Sequence, residues 1–98
     1  MSLLATYYHK GLSLSRATIR RFGEKLHILR TNNSFTLKEL AQALGQTSHS
    51  YLSELETGKK TPTAELVLNV ALLFSVSTDV LLRDEVELPV ELADQQKA

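Results

Sequence analysis

The stretch FTLKELAQALGQTSHSYLSELETGKK, from Phe35 to Lys60, decides the fold. Thr36 followed three residues later by Glu39 is the pattern of a capping box, in which each residue satisfies a backbone N–H group of the other at a helix start. Gly45 ends that helix, because glycine takes the left-handed backbone conformation that often follows a helix at no steric cost. The pattern predicts a short helix followed by a tight turn.

A second short helix is predicted after this turn, capped by Ser48 or Thr47, running to about residue 57 and closed by Gly58. Ala41 lies one turn before Gly45, where a small side chain lets the two helices cross closely. At 100° per residue, Leu52 and Leu55 fall on one side of the second helix together with Glu56. The opposite side is short and polar, formed by Ser50, Ser53, Glu54 and Thr57.

Three more helices flank this pair. They are expected at about residues 18–31, 63–74 and 78–82. Ile19 belongs to the apolar stripe of the first of them, Pro62 stands at the mouth of the second, and Ser77 caps the third. The sequence therefore predicts an all-α domain of five helices. We expect the chain to consist of an N-terminal extension at 1–17, this domain at 18–82 and a tail at 83–98.

The composition is that of one small domain. The chain has 98 residues, 43% of them hydrophobic, and contains no cysteine, which excludes disulfides and thiolate metal sites and suits a reducing cytoplasm. The longest nearly apolar stretch, Leu66 to Phe74, is far shorter than the ~20 residues that span a membrane. The N-terminus lacks the pattern of a signal peptide. We expect a cytoplasmic protein with no membrane partner.

The zero net charge conceals two halves of opposite sign. Residues 1–62 carry nine Lys/Arg and four Asp/Glu, whereas residues 63–98 carry two Lys/Arg and seven Asp/Glu. A basic half with an acidic remainder is typical of a surface that faces a polyanion, although ordinary solvated faces produce the same imbalance.

The chain resembles the helix-turn-helix domains of the phage lambda repressor and Cro type, the XRE family. The resemblance covers about residues 18–82 and is carried by four blocks in order, FGEKLHILR, FTLKELAQALG, SYLSELETGKKTP and LLFSVSTDVLL. It implies a five-helix bundle in which the helix from about Ser48 to Thr57 reads DNA and the preceding helix braces against the DNA backbone.

The resemblance also implies roles for individual residues. The base-reading positions are His49, Ser50, Ser53 and Glu54. The phosphate-binding positions are Thr36, Tyr51, Thr57, Lys59 and Lys60, with backbone N–H groups at the helix start beside Thr36. Arg30 and Glu56 match an interior ion pair that ties the first helix to the third.

Three departures from the family pattern bear on the site. Leu37 stands where the family has glutamine, so one phosphate anchor is missing. The turn after Gly45 is one residue longer than the common spacing, which affects the register assigned to His49 and Ser50. Glu54 occupies a position where glutamine often reads bases, and phosphates repel a carboxylate there unless it accepts from cytosine N4.

No pattern indicates an enzyme or a cofactor site. The three histidines, His9, His27 and His49, lack metal-ligand spacing, and Glu54 and Glu56 face opposite ways on one helix. The glycines match neither phosphate-loop pattern, and no serine stands in a nucleophile elbow. We expect neither catalysis nor a bound metal or cofactor.

The sequence predicts a repressor that binds double-stranded DNA as a homodimer, because one small domain offers few base contacts. The expected dimer surface consists of Val80, Leu81, Leu82, Val86 and Leu88. Two alternatives stay open. One is the antitoxin of a toxin–antitoxin pair, with a small protein partner. The other is an interaction adaptor that has lost DNA binding, which Leu37, Glu54 and the zero net charge favour.

Overall fold

The computed structural model describes residues 19–89, which form five α-helices and no strand. The helices are α1 (Phe22–Asn32), α2 (Leu37–Ala43), α3 (His49–Glu56), α4 (Ala64–Phe74) and α5 (Thr78–Leu82). The predicted all-α, five-helix fold is confirmed. The expected N-terminal extension and the last nine residues of the tail lie outside the described residues.

The limits of α2 and α3 follow from local caps. Thr36 Oγ1 accepts from the N–H of Glu39 at 3.0 Å, and Glu39 Oε1 accepts from the N–H of Thr36 at 2.9 Å, so the capping box is formed. Gly45 has φ 71° and turns the chain out of α2. Ser48 caps α3 by accepting from the N–H of Ser50 at 3.2 Å. The helix pair and its turn are as the sequence predicts.

The caps of α4 and α5 are also local. Thr63 caps α4 by accepting from the N–H of Leu66 at 3.1 Å, so Pro62 precedes the cap instead of lying in the first turn. Ser75, at the end of α4, takes the left-handed conformation with φ 58° that a glycine would adopt without strain. Ser77 caps α5 by accepting from the N–H of Val80 at 3.0 Å.

The start of α1 differs from the prediction. The helix begins at Phe22 instead of residue 18, and Ile19 lies ahead of it with 40% of its surface exposed, outside the apolar stripe assigned to it. No side chain of a neighbouring residue caps α1. Asp84 does so from the far end of the domain, because its carboxylate accepts from the N–H groups of Arg20 and Arg21 at 3.0 Å. These backbone bonds, that from Arg21 foremost, hold the pKa of Asp84 below its usual value.

Lys25 of α1 is fully buried. Its ammonium donates to the carbonyl oxygens of Val80, Arg83 and Val86 at 2.7, 2.8 and 2.6 Å. Burial lowers the pKa of Lys25, since desolvation disfavours its charged form. Through these bonds the residues that follow α5, which the sequence assigns to the tail, are fastened against α1.

One apolar core joins all five helices, and α4 contributes Leu66, Val67, Val70, Ala71 and Phe74 to it. Leu81 is a fully buried member of this core. Its placement on the expected dimer surface is therefore wrong, because its side chain is used inside the domain. Leu82 and Leu88 pack partly against the same core, while Val80 and Val86 are half-buried.

Candidate nucleic-acid interface

Helix α3 is anchored by one side and exposed on the other. Leu52 and Leu55 are 0% and 1% exposed in the core. Ser50, Ser53 and Glu54 lie on the side away from these leucines, as the helical period requires, while His49 stands at the edge of that side as the first residue of the helix. His49 and Ser50 at the start of the helix are exposed, and Ser53 and Glu54 are half-exposed. The structure thus brings Ser50, Ser53 and Glu54 onto one face, with His49 exposed at its edge.

Gly23 lets α1 approach the end of α3 closely. A Cβ atom built at this position would overlap the carbonyl oxygen of Leu55 and would lie 2.8 Å from that of Glu56. Both obstacles are backbone atoms, so they can retreat only if α3 moves. This role of Gly23 was not predicted from the sequence. The one signal in the sequence is a glycine inside a helical pattern. Such a glycine lowers the stability of the helix, and close packing is a common reason for its presence.

Arg30 and Glu56 form an ion pair between α1 and α3. Arg30 Nε lies 2.6 Å from Glu56 Oε2, Nη2 lies 3.1 Å from Oε1, and the two side chains are only 14% and 8% exposed. Arg30 Nη1 also donates to the carbonyl oxygen of Phe35 at 3.0 Å, just before α2. A single guanidinium therefore joins α1, the entry to α2 and the last residue of α3.

His27 adds a third polar side chain to this pair. Its Nδ1 lies 3.0 Å from Glu56 Oε1, and 55% of the side chain is exposed. This contact was not predicted from the sequence, where His27 was weighed only as a metal ligand. The spacing of three between His27 and Arg30, which puts them on the same face of a helix, was the available signal. Within residues 19–89, no three side chains of the metal-binding types gather at one site.

The turn after α3 presents two lysines beside the polar face. Gly58 has φ 83°, which reverses the chain. The N–H groups of Lys59 and Lys60 then donate back to the carbonyl oxygen of Glu54 at 2.8 and 3.3 Å. Both lysines are exposed, and Lys60 Nζ lies 3.9 Å from Glu54 Oε1. The position of the basic turn relative to α3 is therefore fixed by backbone hydrogen bonds.

The other predicted phosphate contacts are partly engaged inside the protein. Thr57 Oγ1 donates to the carbonyl oxygens of Ser53 and Glu54 at 3.1 and 3.3 Å, so its hydroxyl proton is already used. Tyr51 packs partly against the core. The capping box takes the N–H groups of Thr36 and Glu39, so a phosphate at this helix start would be met by the N–H groups of the two residues between them. Leu37 also packs against the core, which explains an apolar residue at this position.

The described part of the chain contains no helix with the length and apolar character needed to cross a membrane.

A family model described as helix-turn-helix matches residues 26–81, which is more than half of the chain and includes α2, the turn and α3. No match is found among curated proteins or among solved structures. The chain belongs to the XRE family of helix-turn-helix proteins, as its motifs predict, and is a DNA-binding protein of the transcription-regulator type.

Proposed function

We propose that this protein is a cytoplasmic, sequence-specific repressor that reads the major groove of double-stranded DNA with α3. The observation that carries the proposal is the two-sided character of α3. One side is held by the core, Gly23 and the Arg30–Glu56 pair, while the other is an exposed polar surface flanked by Lys59 and Lys60. An α-helix with short polar side chains fits the major groove, and cations beside it meet phosphates.

Different residues contribute affinity and specificity in this arrangement. His49 and Ser50 at the start of α3, with Ser53 and Glu54 on its outward side, are assigned to base edges. Lys59 and Lys60, with Tyr51, Thr57 and the backbone N–H groups at the helix start at Thr36, are assigned to phosphates. The lysines carry most of this second role, because the hydroxyl proton of Thr57 must leave its backbone partners before it can bind a phosphate.

Substitution of Lys59 and of Ser50 tests the division of roles. Lys59→Gln is expected to weaken binding to every duplex alike and to reduce the slope of log affinity against log salt by about one, since one phosphate contact is lost. Ser50→Ala is expected to weaken only the preferred site, about fivefold for one hydrogen bond of about 1 kcal/mol, with the salt slope unchanged. Fluorescence anisotropy at several salt concentrations measures both.

Arg83→Gln supplies the matched control for charge. Arg83 is a cation at the end of α5, paired with Glu85 at 2.8 Å and away from α3. We expect its loss to leave the salt slope as it is. If neither Lys59→Gln nor Ser50→Ala changes binding, the proposed reading of DNA by α3 is contradicted and the adaptor alternative is favoured.

We also propose a homodimer, which would place two copies of α3 in half-sites about 34 Å apart and repress by occupying the site. The surface proposed for the contact is Val80, Leu82, Val86 and Leu88, without the buried Leu81. Val80→Ser is expected to raise the dimer dissociation constant at least tenfold, because a two-fold interface counts each lost contact twice. Sedimentation equilibrium measures the constant.

Leu72→Ser is the control for this surface, since Leu72 is an apolar residue of α4 with 70% exposure. It should leave dimerisation unchanged. If Leu72→Ser separates the dimer and Val80→Ser does not, the interface lies on α4. A small toxin that copurifies with the protein and competes with self-association would favour the antitoxin function.

A further inference from the structure

Glu54 is the acidic member of the polar face of α3. Its side chain is 43% exposed, and the other residues assigned to base edges are two serines and a histidine. A carboxylate so close to a polyanion is repelled by phosphates, so its presence calls for a specific partner.

Lys60 is placed to offset the repulsion. The backbone carbonyl of Glu54 accepts from the N–H groups of Lys59 and Lys60, and Lys60 Nζ lies 3.9 Å from the Glu54 carboxylate. The backbone bonds thus place Lys60 where its ammonium lies near the carboxylate. Lys59 shares the backbone bond and the exposure but forms no ion pair of 4 Å or less within residues 19–89. The two lysines therefore form a natural comparison.

An ionised carboxylate only accepts hydrogen bonds. Guanine presents the acceptors N7 and O6 in the major groove, and thymine presents O4 with a methyl group. Adenine offers the N6 amino group, but this donor lies between its own N7 and the O4 of the paired thymine. Cytosine offers the N4 amino group with an acceptor on one side only, the O6 of the paired guanine. Cytosine is therefore the base that a carboxylate accepts best.

We propose that Glu54 determines specificity by selecting a cytosine in each half-site, and that Lys60 acts as a positioning residue that keeps the carboxylate compatible with nearby phosphates. This inference rests on the proposed reading of the major groove by α3. It adds the identity of one base in each half-site, and it gives Lys60 a role that the adjacent Lys59 does not have.

Selection of bound duplexes from a random DNA pool, with the wild-type protein and Glu54→Gln in parallel, tests the base identity. The wild-type protein is expected to select cytosine at one position per half-site. Glu54→Gln is expected to select adenine there, because glutamine donates to N7 and accepts from N6, and every other position should be unchanged. Replacing that cytosine by thymine should weaken wild-type binding about five- to hundredfold.

The Lys60 role is tested by comparing Lys60→Gln with Lys59→Gln on the selected duplex. Both lose a phosphate contact, but Lys60→Gln also leaves the carboxylate without its neighbouring cation. We expect Lys60→Gln to bind about two- to fivefold more weakly than Lys59→Gln, and this difference to vanish when Glu54 is glutamine. A purely structural role of Lys60 would leave the difference unchanged in the Glu54→Gln background.

The outcomes separate this inference from the proposed function. If both proteins select a defined site with the same base at every position, Glu54 reads no base, and the inference is overturned while the proposed function stands. If neither protein selects any site, both fall together. Circular dichroism of Glu54→Gln checks that the variant is folded, which is expected because the side chain is outside the core.

Discussion

Replacing Gly23 by alanine is expected to lower the free energy of unfolding by about 3 kcal/mol, at the upper end of the usual overpacking penalty. The added methyl group would overlap the carbonyl oxygen of Leu55 and crowd that of Glu56. Side chains relieve such overlaps by changing rotamer, but carbonyl groups of α3 move only with their helix. For a domain of this size the loss corresponds to a fall in Tm of about 12–24 °C, measured by thermal circular dichroism.

Gly58→Ala is the matched control, because it makes the same chemical change at a site without a steric obstacle. A Cβ atom at Gly58 meets nothing within 4 Å, but the φ of +83° is unfavourable for alanine. We expect a loss of about 1–2 kcal/mol from this backbone conformation alone. Without the close approach, Gly23→Ala would stabilise α1 by up to about 1 kcal/mol through helix propensity. A neutral or stabilised Gly23→Ala protein would thus contradict the proposed packing of α1 on α3.

The elements that were predictable from the sequence are those whose signals lie within a few residues. The capping box of Thr36 and Glu39, the left-handed Gly45 and the Ser77 cap are all local features, and the limits of α2 and the start of α5 follow from them. The start of α1 has no such signal. It is capped by Asp84, more than 60 residues away, so residue 18 was chosen from periodicity alone.

The burial of Lys25 and of Leu81 also could not be predicted from neighbouring residues. A lysine in a helical pattern normally belongs to a solvated face, yet Lys25 is buried because three carbonyl groups at the far end of the domain surround its ammonium. The burial of Leu81 could not be predicted either, because it depends on how α5 docks against the other helices. The burial of Lys25 and that of Leu81 both depend on contacts between distant parts of the chain.

The polar face of α3 was predictable because it depends only on helical period and on two leucines that must be buried. The hydrogen-bond and ion-pair partners of these polar groups could not be predicted in the same way. The hydroxyl of Thr57 is used by backbone carbonyls, and the pairing of Lys60 with Glu54 depends on the path of the turn at Gly58. The engagement of these two groups therefore depends on the backbone at the end of α3 and on the turn that follows it.

Arg30→Met and Glu56→Met are each expected to lower the free energy of unfolding by about 3 kcal/mol, because each leaves a nearly buried charge without its partner. The side chains are 14% and 8% exposed, and the guanidinium and carboxylate are joined by two hydrogen bonds. His27 would compensate the Arg30→Met protein only in part, because His27 is 55% exposed and keeps its hydration. Urea denaturation measures the stability of both variants.

The double variant Arg30→Met/Glu56→Met distinguishes a buried pair from a surface pair. Two apolar side chains of similar length remove both charges together, so most of the stability lost in the single variants should return. Losses below about 1 kcal/mol in both single variants would show that the pair behaves as an exposed one. DNA affinity adds a separate readout at low temperature, where all variants are folded. If the pair orients α3 against α1, the double variant should regain stability but still bind its site more weakly than the wild-type protein.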